Sequence, residues 1–155
     1  MAELTLEQQV ARLAAIEDIK RMKAQYCYYA DHGYDPDGMA SLFVEDAIWD
    51  GGQFGRYEGR EAIREFFAGI SKEIVFAIHP VMNPIITIGG DTANAKWWLI
   101  MWSTMIVDGE KEARWFAGEY DDHLVRRDGE WLFTSITVDG KFLASPVEGW
   151  AEQTG

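Results

Sequence analysis

A single cysteine, Cys27, stands in the 155 residues, so no internal disulfide can form and a reducing compartment is the natural setting. Basic charge is also scarce: 14 Lys and Arg against 26 Asp and Glu leave a formal net charge of −12, and no run of consecutive basic residues exceeds two, as at Arg126-Arg127. Nucleic acids and anionic membrane surfaces are recognised by clustered Lys and Arg, so neither is an expected partner. No window approaches the run of about 18 apolar residues that a membrane-spanning helix needs. The opening "MAELTLEQQVARL" is polar and acidic, where a signal peptide is basic and then apolar. The expectation is a cytoplasmic protein. Repeats, low-complexity tracts and linkers are absent, and the length suits one domain over 1–155.

Several chemistries lack their parts. "GGQFGRYEGR" has glycines but opens no strand-to-helix crossover of the phosphate- or dinucleotide-binding kind. Ser103 and Ser135 have no nucleophile-elbow pattern around them, and Cys27 has no local activation signature. Histidines at 32, 79 and 123 form no local metal motif. With neither cofactor nor metal expected, the chemistry narrows to proton transfer, elimination, addition or isomerisation.

What the chain has in quantity is apolar and aromatic surface: 48% hydrophobic residues, 14% aromatic, seven tryptophans. That much ring area implies an aromatic-lined interior or an apolar interface. Thr5 followed by Gln8 is a capping-box pattern, and Leu6, Val10, Leu13, Ile16, Met22, Tyr26 and Tyr29 recur at roughly helical spacing up to Gly33. The first helix is therefore expected over 5–31. "DPDGMASLF" reads as a loop and a short helix ending near Phe43, "EDAIWD" as a short strand, and "GREAIREFFAGI" as a third helix burying Ile63, Phe66, Phe67 and Ile70.

From Ile74 the texture changes to β-branched and aromatic runs punctuated by Gly89-Gly90-Asp91, Asp108-Gly109, Asp128-Gly129 and Asp139-Gly140. Asp-Gly between apolar runs signals a hairpin, so four long antiparallel strands in a meander are expected, strongly twisted and curled. In "KWWLIMWSTMIV" Trp98, Ile100, Trp102 and Ile106 share one face, and Trp97, Leu99, Met101 and Met105 the other. Both faces are apolar, whereas an antiparallel sheet normally leaves one to water. Such a sheet should be covered by its own helices on one side and by a partner subunit on the other, which implies a homo-oligomer.

Among ionisable groups, His32 lies just past a helix end and His123 follows the acidic "EYDD"; both read as solvated. His79 differs, because "IVFAIHPVMNPIITI" contains no other ionisable side chain. It is either a core histidine with one hydrogen bond or a general base in a cavity. Asp31 follows "YCYYA", five residues without charge, at the end of the first helix. Across the mouth of a curled sheet it could meet His79 and orient it as a base. Tyr28, three residues before Asp31, lies on nearly the same helix face; Tyr26, five before, lies about 140° away. Spacing therefore nominates Tyr28 as the phenol of such a site.

The order helix, short helix, strand, helix, long meander, with "AAIEDIKRMKAQYCYYAD", "YEGREAIREFFAG", "HPVMNPIITIGGDTANA" and "GEYDDHLVRRDGEWLF", resembles the SnoaL-like branch of the NTF2-like superfamily, to which scytalone dehydratase, bile-acid dehydratase and hexachlorocyclohexane dehydrochlorinase belong. The resemblance covers nearly the whole chain. It implies an α+β cone: N-terminal helices packed on a strongly curved antiparallel sheet around an apolar pocket, commonly assembled as a trimer. It implies catalysis by His79 as base, oriented by Asp31, and it nominates Tyr26 instead of Tyr28. By the same analogy Trp98, Ile100, Trp102, Phe116, Gly118 and Tyr120 face the cavity, with Trp49 near the entrance. The implied function is a cofactor-independent lyase of dehydratase type acting on a hydrophobic, aromatic or polycyclic hydroxylated small molecule. Retro-aldol cleavage of an aryl diol, isomerisation or cyclisation of a polyketide or terpenoid, and a non-catalytic ligand-binding role are the alternatives.

Overall fold

A computed structural model describes residues 4–154. The capping box at Thr5 forms as expected: Gln8 N–H donates to Thr5 Oγ1 at 3.2 Å, and Thr5 N–H to Gln8 Oε1 at 2.9 Å. It opens α1 (Leu6–Asp31), followed by α2 (Pro36–Ser41) and α3 (Arg60–Ile70). Seven strands form one sheet: β1 (Phe43–Asp50), β2 (Arg56–Glu58), β3 (Ile74–Ile78), β4 (Val81–Gly89), β5 (Thr92–Val107), β6 (Glu110–Arg127) and β7 (Glu130–Ala144). Their order is β2-β1-β7-β6-β5-β3, with β4 also on β5; β1 runs parallel to β7, and every other pairing is antiparallel.

Two details of the expected meander change. The stretch from Ile74 is two strands, not one, because the ladder to β5 breaks at His79-Pro80. Proline has no N–H to donate and restricts the residue before it, so His79 leaves the sheet while Pro80 keeps contact only through its carbonyl, which accepts from Ile100 N–H at 3.2 Å. At the other end, Asp139-Gly140 is no turn: β7 runs straight through it, with Gly140 opposite Gly118. The two glycines make room for the Phe116 ring, since an added Cβ would lie 3.0 Å from that ring at either position. Asp108-Gly109 and Asp128-Gly129 are hairpin turns, with positive φ at both residues as that turn type requires.

In α1 the buried stripe is Ala15, Ile19, Met22, Lys23, Tyr26, Cys27 and Ala30. Leu6, Val10 and Leu13, expected on the same inward face, are exposed, and the buried stripe of α1 begins only at Ala15. In α3, Ile63, Phe67 and Ile70 are buried and Phe66 is half-buried at the helix edge. The three long strands curl around these helices, and their concave side forms the core.

Candidate active site

Asp31 is the last residue of α1, and His79 follows β3 where Pro80 forces the chain out of the ladder. One carboxylate oxygen, Asp31 Oδ1, accepts from the His79 backbone N–H at 2.9 Å and meets His79 Nδ1 at 2.7 Å. Both bonds come from the same residue, so the carboxylate fixes the backbone and the ring together. With a proton on Nδ1 held by Asp31, the other nitrogen, Nε2, is the free acceptor. His79 is 8% exposed, and Asp31 sits at the rim with 21% of its side chain accessible.

His79 lines a cavity in the cone with Tyr26, Tyr34, Trp49, Phe54, Phe66, Phe67, Leu99, Met101, Phe116, Tyr120 and Val138. It holds about 450 Å³ of unfilled space counted out to the mouth. The rings are close: Trp49 and Phe66 lie 4.7 Å apart, Tyr57 and Phe66 4.3 Å. Any ring-sized ligand must therefore part some of them. Trp49 Nε1–H donates to the Tyr26 hydroxyl at 2.8 Å, which leaves the Tyr26 proton free to donate. Burial pushes the Tyr26, Tyr34 and Tyr120 phenols upward from their ordinary value, so all three remain protonated donors at neutral pH.

Of the residues nominated from sequence, Asp31, His79, Tyr26, Trp49, Phe116 and Tyr120 come together here, and four do not. Tyr28 is 55% exposed and stacks on His32 at 4.0 Å. At 100° per residue it lies about 60° from Asp31, but Asp31 is itself on the flank of the inward stripe, and Tyr28 falls beyond it. Trp98 and Trp102 are 41% and 39% exposed, and they lie with Ile100 on the convex face; Trp97, Leu99 and Met101 point inward instead. The reason is register: the Asp108-Gly109 turn pairs Trp97 with Tyr120 and Leu99 with Gly118, so an inward Tyr120 brings the odd residues of β5 inside. His123 is on the convex face, beside Asp121.

Sequence reasoning missed a second polar centre at the base of the cone. Lys23 Nζ lies 2.9 Å from Asp122 Oδ2 with both side chains 1% accessible, and Trp97 Nε1–H donates to the same oxygen at 2.9 Å. The ammonium also sits 3.3 Å above the centre of the Tyr120 ring. Burial pushes the Asp122 carboxyl above its ordinary value, and the Lys23 charge draws it back. The signal was available: Asp122 has the same strand parity as Tyr120, and Lys23 falls inside the α1 stripe. Tyr34, in the "HGYD" turn, was also passed over. No three His, Cys, Asp or Glu side chains among the described residues converge as a metal site would require.

The SnoaL-like domain family matches residues 11–137. This chain belongs to that family. Among solved structures it is similar to a candidate scytalone dehydratase from Novosphingobium aromaticivorans, at 24% identity over 88% of this chain and 91% of that one, TM-score 0.80. It is similar to the hexachlorocyclohexane dehydrochlorinase LinA-type3 from Novosphingobium barchaimii, at 21% identity over 88% and 93%, TM-score 0.79. A third relative, from N. aromaticivorans and named for aromatic ring hydroxylation, shares 25% identity over 86% and 96%, TM-score 0.72. No curated protein matches. The α+β cone is therefore the SnoaL-like, NTF2-like fold, and enzymes named for elimination reactions share it. No helix among the described residues is long and apolar enough to cross a membrane.

Proposed function

We propose that this protein is a cofactor-independent lyase of dehydratase type, acting on an aromatic or polycyclic hydroxylated small molecule. The observation that carries the reading is the double contact of Asp31 Oδ1 with His79. It pins the imidazole in the tautomer whose Nε2 accepts a proton, inside a cavity otherwise walled by aromatic and aliphatic side chains. Nε2 takes a proton from the carbon beside the one bearing the hydroxyl. The C–H electron pair forms the new double bond, the C–O bond breaks, and the departing hydroxide is protonated to water. Tyr26, its oxygen held by the Trp49 N–H, is placed to give that proton and recover it from the imidazolium through solvent. Acid-base assistance of this kind contributes about 10²–10⁴-fold, and the remainder comes from positioning among the rings.

Assembly belongs to the same reading. Trp98, Trp102, Phe76 and Ile78 leave the convex face of the sheet apolar and 39–53% exposed, a surface suited to further copies of the chain, three in all. Light scattering that returns a monomer mass would reject this part.

The test is a panel of hydroxylated aryl, diaryl and polycyclic compounds followed by mass spectrometry for loss of water or release of an aldehyde, with the wild type and His79→Ala. Loss of turnover with fold and ligand affinity kept is the expected result. Full activity in His79→Ala would end the proposal, and tight binding of many compounds with turnover of none would favour a binding module. Aldehyde release in place of water would assign the same base to retro-aldol cleavage.

A further inference from the structure

The outer side of α1 carries an apolar seam with nothing over it. Every residue from Leu4 to Ala14 is exposed, and three large apolar ones stand far out: Leu6 at 77%, Val10 at 57% and Leu13 at 63%. With Glu17 they recur at spacings of four, three and four, the repeat that lines side chains up along one face of a helix. At 100° per residue this seam lies about 150° from the buried stripe that runs from Ala15 to Ala30, so it points away from the body of its own chain. Apolar side chains aligned in this way mark a contact surface, as the same residues scattered singly would not.

The charges beside the seam indicate what covers it. Glu7, Ala14 and Arg21 are spaced by seven and therefore share one flank. The ion pairs that α1 makes among the described residues, Lys20–Glu17, Lys23–Asp122 and Asp31–His79, use neither Glu7 nor Arg21. Two copies of α1 packed antiparallel about a two-fold axis bring like flanks together. With the axis beside Ala14, Glu7 of each copy stands opposite the partner's Arg21, and the small side chain at the crossing lets the helices close. Leu13 then packs on its symmetry mate, and Leu6 lies along the alkyl stems of Lys20 and Arg21. A parallel pair would instead set Glu7 against Glu7 and Arg21 against Arg21, which repel.

We infer that the outer face of α1 is an interface, and that its partner is a second copy of this chain in an antiparallel, two-fold pair. The surface is separate from the convex face of the sheet: α1 packs on the concave side, and its seam looks outward from there. The contact is also independent of the reaction in the cavity. Where copies join through the sheet in threes, the α1 contact turns three into six; without that association it makes two.

The test is sedimentation velocity of the full chain over a series of concentrations, for wild type, Leu13→Lys, Glu7→Arg, Arg21→Glu and the double reversal Glu7→Arg/Arg21→Glu. All these positions are exposed, so the fold is kept, and circular dichroism checks it. Wild type should sediment as two or six copies, and Leu13→Lys as half that number. Each single reversal should weaken the pairing about tenfold, since two exposed ion pairs become two like-charge contacts, and the double reversal should restore it. A wild type of one or three copies would overturn the inference. So would a Leu13→Lys protein of unchanged mass, or a double reversal that pairs no better than the singles.

Discussion

Replacing Lys23 by Met should be among the most damaging single changes available in this chain. The substitution keeps the length of the side chain and removes its charge, leaving Asp122 1% accessible with one donor, Trp97 Nε1–H, in place of two. Leaving one partner of a buried ion pair uncompensated costs about 3–5 kcal/mol. Asp122→Asn should cost less, toward the lower end of that range, since the amide oxygen can still accept from Trp97 and the Lys23 ammonium keeps the face of the Tyr120 ring at 3.3 Å. The double replacement Lys23→Met/Asp122→Leu removes both charges and should return to within about 1 kcal/mol of wild type, or exceed it. For 155 residues an unfolding entropy of about 2.1 cal/mol/K per residue amounts to about 0.33 kcal/mol/K, so a loss of about 4 kcal/mol lowers Tm by about 12 °C. Urea unfolding followed by tryptophan fluorescence, at one fixed protein concentration, measures all four proteins as a double-mutant cycle. A Lys23→Met cost below about 1 kcal/mol, or a double replacement costing the sum of the two singles, would refute the reasoning.

Asp31→Asn should lower kcat by about 10²–10⁴-fold with little change in KM, because the amide no longer selects the Nδ1-protonated tautomer; a rate within threefold of wild type would deny Asp31 that role. Cys27 gives a pH signature. Burial pushes its thiol from 9.0 up to about 12, so its contribution to stability is complete below pH 9 and is lost as pH rises toward 12. At pH 10.5 the loss is about 2 kcal/mol, and Cys27→Ala should decline by that much less than wild type between pH 8.5 and 10.5 in urea titrations, while the buried phenols steepen both curves alike. Parallel curves would contradict it. Gly118→Ala should cost about 1–3 kcal/mol, since its Cβ would lie 2.9 Å from the Asp139 carbonyl oxygen and 3.0 Å from the Phe116 ring; an unchanged Tm would show that the ring and the carbonyl yield freely. Trp102→Ser should leave the affinity for an aryl alcohol such as 1-phenylethanol, read by quenching of tryptophan fluorescence, within twofold, and Leu99→Ala should alter it; the reverse pattern would restore the even residues of β5 to the cavity.

Much of this was legible along the chain. The capping box at Thr5, the inward residues of α3, the two Asp-Gly turns and the isolation of His79 in an apolar run are local patterns with local causes. The cavity partners of Tyr120 were also legible in principle. A two-residue turn at Asp108-Gly109 ties an even residue of β6 to an odd residue of β5, which places Trp97, Leu99 and Met101 inside. Hydrophobic alternation alone could not decide this, because both faces of β5 are apolar.

The sequence by itself determined the types of element, the family and Asp31 and His79 as candidates to meet, since these follow from periodicity, turn chemistry and motif. Only the tertiary structure decided which face of a doubly apolar strand looks inward, that β7 continues through Asp139-Gly140 beneath Phe116, that Lys23 meets Asp122 across the core, and that a left-handed turn returns Tyr34 to His79. Each depends on residues far apart in the chain packing into the same space, and no local pattern carries that distance.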